Sequence, residues 1–152
     1  MTGSKVGRLM TMFLAAVDLE TGELYYINAG HNHPLLLQEG KVVSLKSRGY
    51  RLGFHDKKKY ECKKTVISPS DKVIFYTDGL VENQSKDGKL IDMKKLKKLI
   101  LDHKDSVAAG LKNESEEFWK DSTLDDDVCI VEFSLIKLVE SVVRPIDKDV
   151  VS

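Results

Sequence analysis

The sequence predicts an α+β fold with mainly antiparallel sheets, and three features point to it. Strand-like runs come in adjacent pairs joined by short turns that contain glycine, as hairpins do. A β-branched and aromatic run, Val73-Ile74-Phe75-Tyr76, stops at Thr77-Asp78-Gly79. Beyond it the apolar spacing changes to that of a helix.

The elements follow in order. Residues 10–18 and 23–29 read as strands joined by Leu19-Glu20-Thr21-Gly22, and residues 34–38 and 41–45 as a second pair around Glu39-Gly40. A loop rich in glycine and basic residues covers 47–59. Residues 60–67 form the next strand candidate, followed by the turn Ser68-Pro69-Ser70-Asp71 and the strand that ends at Asp78. Met93, Leu96, Leu99, Ile100 and His103 recur at helical spacing, with Asp92 placed as N-cap. Val107, Leu111, Phe118 and Trp119 mark a second helix after Asp105-Ser106, weakened by Gly110. Residues 128–135 read as the last strand. Ile136, Leu138, Val139, Val142 and Val143 suit a short amphipathic helix that stops before Pro145.

The chain of 152 residues suits one domain with a core, and 41% hydrophobic with 32% charged residues describes a globular protein. Lys+Arg 24 against Asp+Glu 24 leaves a formal net charge of zero, so there is no bulk electrostatic reason to expect nucleic acid or an anionic membrane. The lysine runs at 57–59, 63–64, 94–95 and 97–98 lack interleaved aromatics and read as solvated faces. Cys62 and Cys129 lie far apart, form no CxxC pair, and are expected as small apolar core residues in a reducing compartment. No apolar run is long enough to span a bilayer, and a cytoplasmic protein is expected.

Candidate chemistry centres on aspartates at strand ends. Asp78 closes one apolar strand, and Asp125-Asp126-Asp127 opens another. Carboxylates are hard ligands suited to magnesium, manganese or calcium. Each feature alone also fits a turn or an exposed loop. Residues 83–88 superficially resemble a calcium loop, but Asn83 stands at the first position and Lys94 where a bidentate glutamate is needed, so a plain turn is expected. His31-Asn32-His33 would place two imidazoles on one face of a strand. Gly30 before it and Pro34 after it favour a bend instead, with His31 hydrogen-bonded to backbone. No G-x-S-x-G occurs and neither cysteine has a neighbouring base, so no covalent nucleophile is indicated.

Several segments in order resemble a known family: residues 12–18, then Thr21 to Leu37 with its NAGHNHP stretch, GYRLG at 49–53, YTDGLVE at 76–82, and Asp126-Asp127. They resemble the SpoIIE/RsbU-type branch of the bacterial PPM serine/threonine phosphatases, over residues 7–135, with residues 136–152 as a C-terminal extension. The resemblance implies an α-β-β-α sandwich with a binuclear Mn2+ or Mg2+ centre between the sheets. It implies Asp78 and Asp126 as metal ligands, with Gly79 and Asp127 as neighbouring support and no catalytic residue beyond the ligands. The reaction would be attack of a metal-activated water on a phosphoserine or phosphothreonine. The substrate implied is a phosphorylated signalling protein of the anti-sigma-factor antagonist type.

The family's opening GD-x-x-GHG-type segment, which supplies a further aspartate ligand, has no match before Gly7. The expected chain therefore lacks the N-terminal strands of the sandwich. Open sheet edges make a homodimer possible. The alternative function is a catalytically silent interaction module that keeps the fold with an incomplete metal site.

Overall fold

The computed structural model describes residues 9–53 and 59–135. Two antiparallel hairpins form where the turn chemistry placed them: β1 (Met12–Val17) with β2 (Glu23–Ala29), and β3 (Leu35–Gln38) with β4 (Lys41–Ser44). Gly22 takes φ 72° at the first turn, and the Ile67 carbonyl lies where its side chain would be. The chain continues through β5 (Lys63–Val66), β6 (Lys72–Tyr76), the single-turn helix α1 (Gly79–Glu82), α2 (Met93–Asp102), α3 (Val107–Phe118) and β7 (Ile130–Phe133).

The strands make two sheets, one ordered β1-β2-β5 and the other β4-β3-β6-β7. Period-two alternation divides the second sheet between two cores. Leu36 and Val73 face the first sheet and pack with Leu24, Tyr26, Leu45 and Ile67. Leu35, Leu37, Ile74 and Tyr76 face α2 and α3, where Leu96, Ile100, Val107 and Leu111 close over them. The described residues thus stack as sheet, sheet and helices. The outer side of the three-stranded sheet carries Met12, Leu14, Tyr25 and Val66 in exposed positions.

The helices are built as the sequence indicates. The Asp92 carboxylate accepts the Lys95 N–H at 2.7 Å, a side-chain N-cap for α2. Lys94 and Lys98 stand in solvent, whereas the Lys95 ammonium lies 3.6 Å from the centre of the Phe118 ring. Gly110 does not break α3, because it sits against α2 where a Cβ would meet the His103 ring at 2.2 Å. Ser106 provides no side-chain cap to α3. Glu132 reaches from β7 to accept the Ala108 N–H at 2.9 Å instead.

The cysteines depart from expectation. Both are exposed, and neither lies within a strand. Cys129 alternates with Val128 and Ile130, which pack under the helices, and so shares the side of Val131, which is 50% exposed. The three-stranded sheet reaches Phe133 on that side but not Val131 or Cys129. Cys62 precedes β5, which has one neighbour among the described strands. The expected helix within residues 136–143 lies outside the described residues, as does the C-terminal extension as a unit.

Candidate active site at the Asp78 strand end

The strand β6 leads directly into α1. Asp78 has helical backbone angles, φ −57° and ψ −32°, and its carbonyl accepts the N–H groups of Val81 and Glu82 at 2.9 Å each. Its carboxylate makes no capping hydrogen bond and so remains available. Glu82 lies four residues on, hence on the same side of the turn. Both carboxylates line a polar pocket of about 140 Å³ together with Thr11, Gly30, His31, Asn32 and Arg51.

The far wall of this pocket is the bend after β2. Asn28, 2% exposed, accepts the His31 N–H through Oδ1 at 2.8 Å and donates through Nδ2 to the His31 carbonyl at 2.8 Å. One amide therefore closes the bend, and Gly30 supplies the left-handed φ of 76° that it requires. His31 donates through Nδ1 to the Asn32 carbonyl at 3.0 Å, the backbone role expected of it. His33 turns away, with Nδ1 accepting from Asn28 Nδ2 at 2.9 Å. Burial, then the Lys46 and Lys63 ammoniums, hold His33 below the usual imidazole range. The two imidazoles do not form a metal pair, because the bend sends them to different partners.

The third wall comes from residues 49–53. Gly49 lies so close to β2 that a Cβ would fall 1.7 Å from the Asn28 carbonyl oxygen. Leu52 exchanges backbone hydrogen bonds with Met10 at 2.8 and 3.1 Å. Arg51, between these two anchors, crosses Gly30, whose missing side chain leaves room for the arginine stem.

Asp126 is placed by another route. The buried Asn83 side chain accepts the N–H groups of Asp125 and Asp126 at 2.8 and 3.1 Å and donates to the Asp126 carbonyl at 2.8 Å. Thr77 completes the attachment: Oγ1 donates to the Asp127 carbonyl and accepts the Cys129 N–H, both at 2.9 Å. Gly79 lets this loop lie flat on α1, since a Cβ there would meet the Asp127 and Asp126 carbonyl oxygens at 2.5 and 3.0 Å. The loop backbone is thus fixed beside Asp78. The Asp126 carboxylate accepts the Asp127 N–H at 2.8 Å and is not part of the pocket wall.

The donors present are carboxylate oxygens, the chemistry that suits Mg2+ or Mn2+. Their number falls short. Among the described residues no three His, Cys, Asp or Glu side chains are arranged to hold an ion. A larger cavity, about 600 Å³, lies elsewhere, between α3 and the start of β7 around Trp119, Leu124 and Ile130. Glu116 is the one carboxylate among the residues that line it, so its size does not make it the reactive centre.

Four contributors escaped the sequence reading: Glu82, Arg51, Asn28 and Asn83. Glu82 and Arg51 stand inside the YTDGLVE and GYRLG segments, and the four-residue step from Asp78 to Glu82 becomes a shared face once α1 is known. Asn28 stands at the head of the NAGHNHP stretch and bonds locally to His31 and His33, whereas Asn83 acts through contacts more than forty residues along, for which local sequence carries no sign.

A model of the Stage II sporulation protein E (SpoIIE) family matches residues 1–135. Protein IcfG of Synechocystis sp. is 36% identical over 76 residues, which are 49% of this chain and 12% of that protein. Among solved structures, the PP2C domain of SiaA from Pseudomonas aeruginosa superposes with a TM-score of 0.72 at 19% identity, over 88% of this chain and 54% of that one. The RsbU and RsbW domains of a Mycobacterium tuberculosis protein give 0.65 at 23% identity, over 80% and 35%. The manganese-presoaked phosphatase domain of SpoIIE from Bacillus subtilis gives 0.63 at 17% identity, over 82% and 56%. This chain therefore spans a small part of the curated relative and about a third to just over half of these solved chains. The two antiparallel sheets with helices packed on one of them are the PP2C phosphatase fold. With the family match running from residue 1 to 135, the chain belongs to the Stage II sporulation protein E (SpoIIE) family.

Proposed function

We propose that the chain takes part in hydrolysis of a phosphoserine or phosphothreonine on a bacterial signalling protein, with Asp78 and Asp126 contributing to a Mn2+ or Mg2+ centre. The observation that supports this most is the Asp78 carboxylate, uncommitted to its own helix cap and held beside the pinned loop of Asp126. Divalent ions in such a site lower the pKa of a water and neutralise phosphoryl oxygens. Asp78 presents oxygen donors from a rigid strand end. Asn83 and Thr77 hold the Asp126 loop in register with it, and Gly79 and Asp127 supply the backbone surface on which the two segments meet.

Residues 7–135 are the phosphatase unit in this reading. The substrate class is a phosphorylated anti-sigma-factor antagonist, by analogy with relatives that carry an RsbU domain joined to an RsbW domain. Such a substrate places the reaction in the cytoplasm.

The test is manganese-dependent hydrolysis of p-nitrophenyl phosphate and of a phosphoserine protein, with Asp78→Asn beside the wild type. Loss of turnover in the variant is expected. Turnover equal to wild type removes Asp78 from the mechanism.

A second reading has its own support, the absence of a three-residue metal cluster among the described residues. In it the chain is a silent interaction module that keeps the phosphatase fold. Calorimetry with manganese separates the two, because two ions bound tightly per chain exclude the silent module.

A further inference from the structure

We infer that Arg51 is the phosphoryl-binding residue of this site, an inference that rests on the phosphatase reading above. The pocket at Asp78 is walled by two carboxylates, which repel a phosphate dianion unless cations offset them. Arg51 is the one Lys or Arg side chain among the described residues that lines it. Its guanidinium forms no ion pair with a carboxylate among the described residues. A planar fork of donors that is not already paired is what a tetrahedral oxyanion requires.

The placement is built by the fold. Gly49 is wedged on the Asn28 carbonyl, Leu52 is bridged to Met10 by two backbone hydrogen bonds, and Arg51 is carried between them. The stem passes over Gly30, where a Cβ would stand 2.8 Å from Arg51 Cγ. The same Gly30 begins the bend that brings His31 and Asn32 to the pocket. Asn32 and Thr11 add neutral polar groups around a space of about 140 Å³, room for about five waters at roughly 30 Å³ each. A phosphoryl group entering there would share the pocket with the Arg51 side chain, and cations bound at the carboxylates would offset their repulsion.

Arg51 could serve a lesser purpose, that of neutralising Asp78 and Glu82 in the absence of ions. The two roles separate by measurement. Calorimetric titration with manganese, followed by titration of the manganese-loaded protein with inorganic phosphate, is made on the wild type, Arg51→Gln and Arg51→Lys. Circular dichroism checks that the variants fold, as expected for an exposed side chain.

The expected result is phosphate affinity about tenfold or more lower in Arg51→Gln, with an intermediate loss in Arg51→Lys, which keeps charge without the fork. Manganese affinity is expected to hold or rise, because a positive charge has left the pocket. Equal phosphate affinity in wild type and Arg51→Gln, with manganese bound to both, overturns the role of Arg51 and leaves the metal site standing. Wild type that binds manganese but no phosphate overturns it as well. Absence of manganese binding to the wild type instead overturns the phosphatase reading, and this inference with it.

Discussion

Asn83 grips Asp126 by both its backbone groups, accepting its N–H at 3.1 Å and donating to its carbonyl at 2.8 Å. The same oxygen also accepts the Asp125 N–H, and the Asn83 carbonyl accepts the Trp119 indole N–H at 3.2 Å. An asparagine at the end of α1 therefore ties α1, the aspartate loop and the end of α3 into one unit.

Removing that side chain leaves three backbone groups without their partner in a position that is 1% exposed. Asn83→Ala is expected to lower stability by about 2–4 kcal/mol. Urea unfolding should show a lower midpoint with an unchanged slope. Trp119 is the sole tryptophan, so its fluorescence reports the same junction. A midpoint equal to wild type would show that the loop holds its place without Asn83.

Gly79→Ala sets helix propensity against packing. Alanine favours a helical position over glycine by about 1 kcal/mol. Here the added methyl would lie 2.5 Å from the Asp127 carbonyl, so the aspartate loop must shift. The expected outcome is a net loss of about 1–3 kcal/mol together with weaker manganese binding, read by thermal melting and calorimetry. A stabilised variant with wild-type metal affinity contradicts the packing argument.

Glu132 provides a pH signature. Burial alone raises its carboxyl, but the Lys72 ammonium and the Ala108 N–H outweigh this and hold it below the ordinary 4.5. A carboxyl lowered in the folded state contributes stability above its unfolded value, and that contribution is lost as pH falls through the folded value. Glu132→Gln should therefore cost about 1–2 kcal/mol at pH 7. The gap from wild type should narrow below pH 4.5 in denaturant titrations at several pH values. A gap independent of pH would mean that charge is not what Glu132 contributes.

The β1 edge gives a prediction about association. The segment Met12-Phe13-Leu14-Ala15-Ala16-Val17 holds no charge, pairs among the described strands with β2 alone, and exposes Leu14 by 54%. Such an edge offers unpaired backbone groups to a second strand. Self-association rising with concentration is expected in sedimentation velocity, and Leu14→Lys should shift the protein toward monomer. A wild type that stays monomeric at high concentration rules out a homodimer through this edge.

Both hairpins were legible because their turns carry glycine at the position where a left-handed φ is needed, and the α2 helix because Asp92 and its apolar spacing agree. The short helix α1 was not, since four residues carry too little periodicity to distinguish a helical turn from a strand end. The cysteines misled because hydrophobic alternation tells which side a residue faces and not whether anything covers that side. Asp78 was legible as an aimed carboxylate. Its pocket neighbours Arg51 and Glu82 were visible only as members of motifs without a role.

By itself the sequence determined the elements and the chemistry on offer: the hairpins, the helix starts, the carboxylates at two strand ends, and the family. These depend on local conformational preference and on residue type, which neighbours along the chain fully specify. Tertiary structure alone decided which of those groups meet. Asn28 closes the His31 bend, Gly49 seats the Arg51 segment on β2, and Asn83 with Gly79 brings the Asp126 loop against α1. The first is a side-chain contact three residues along that local periodicity does not reveal; the other two join segments distant in sequence, fixed by hydrogen bonds and by the space a missing side chain leaves.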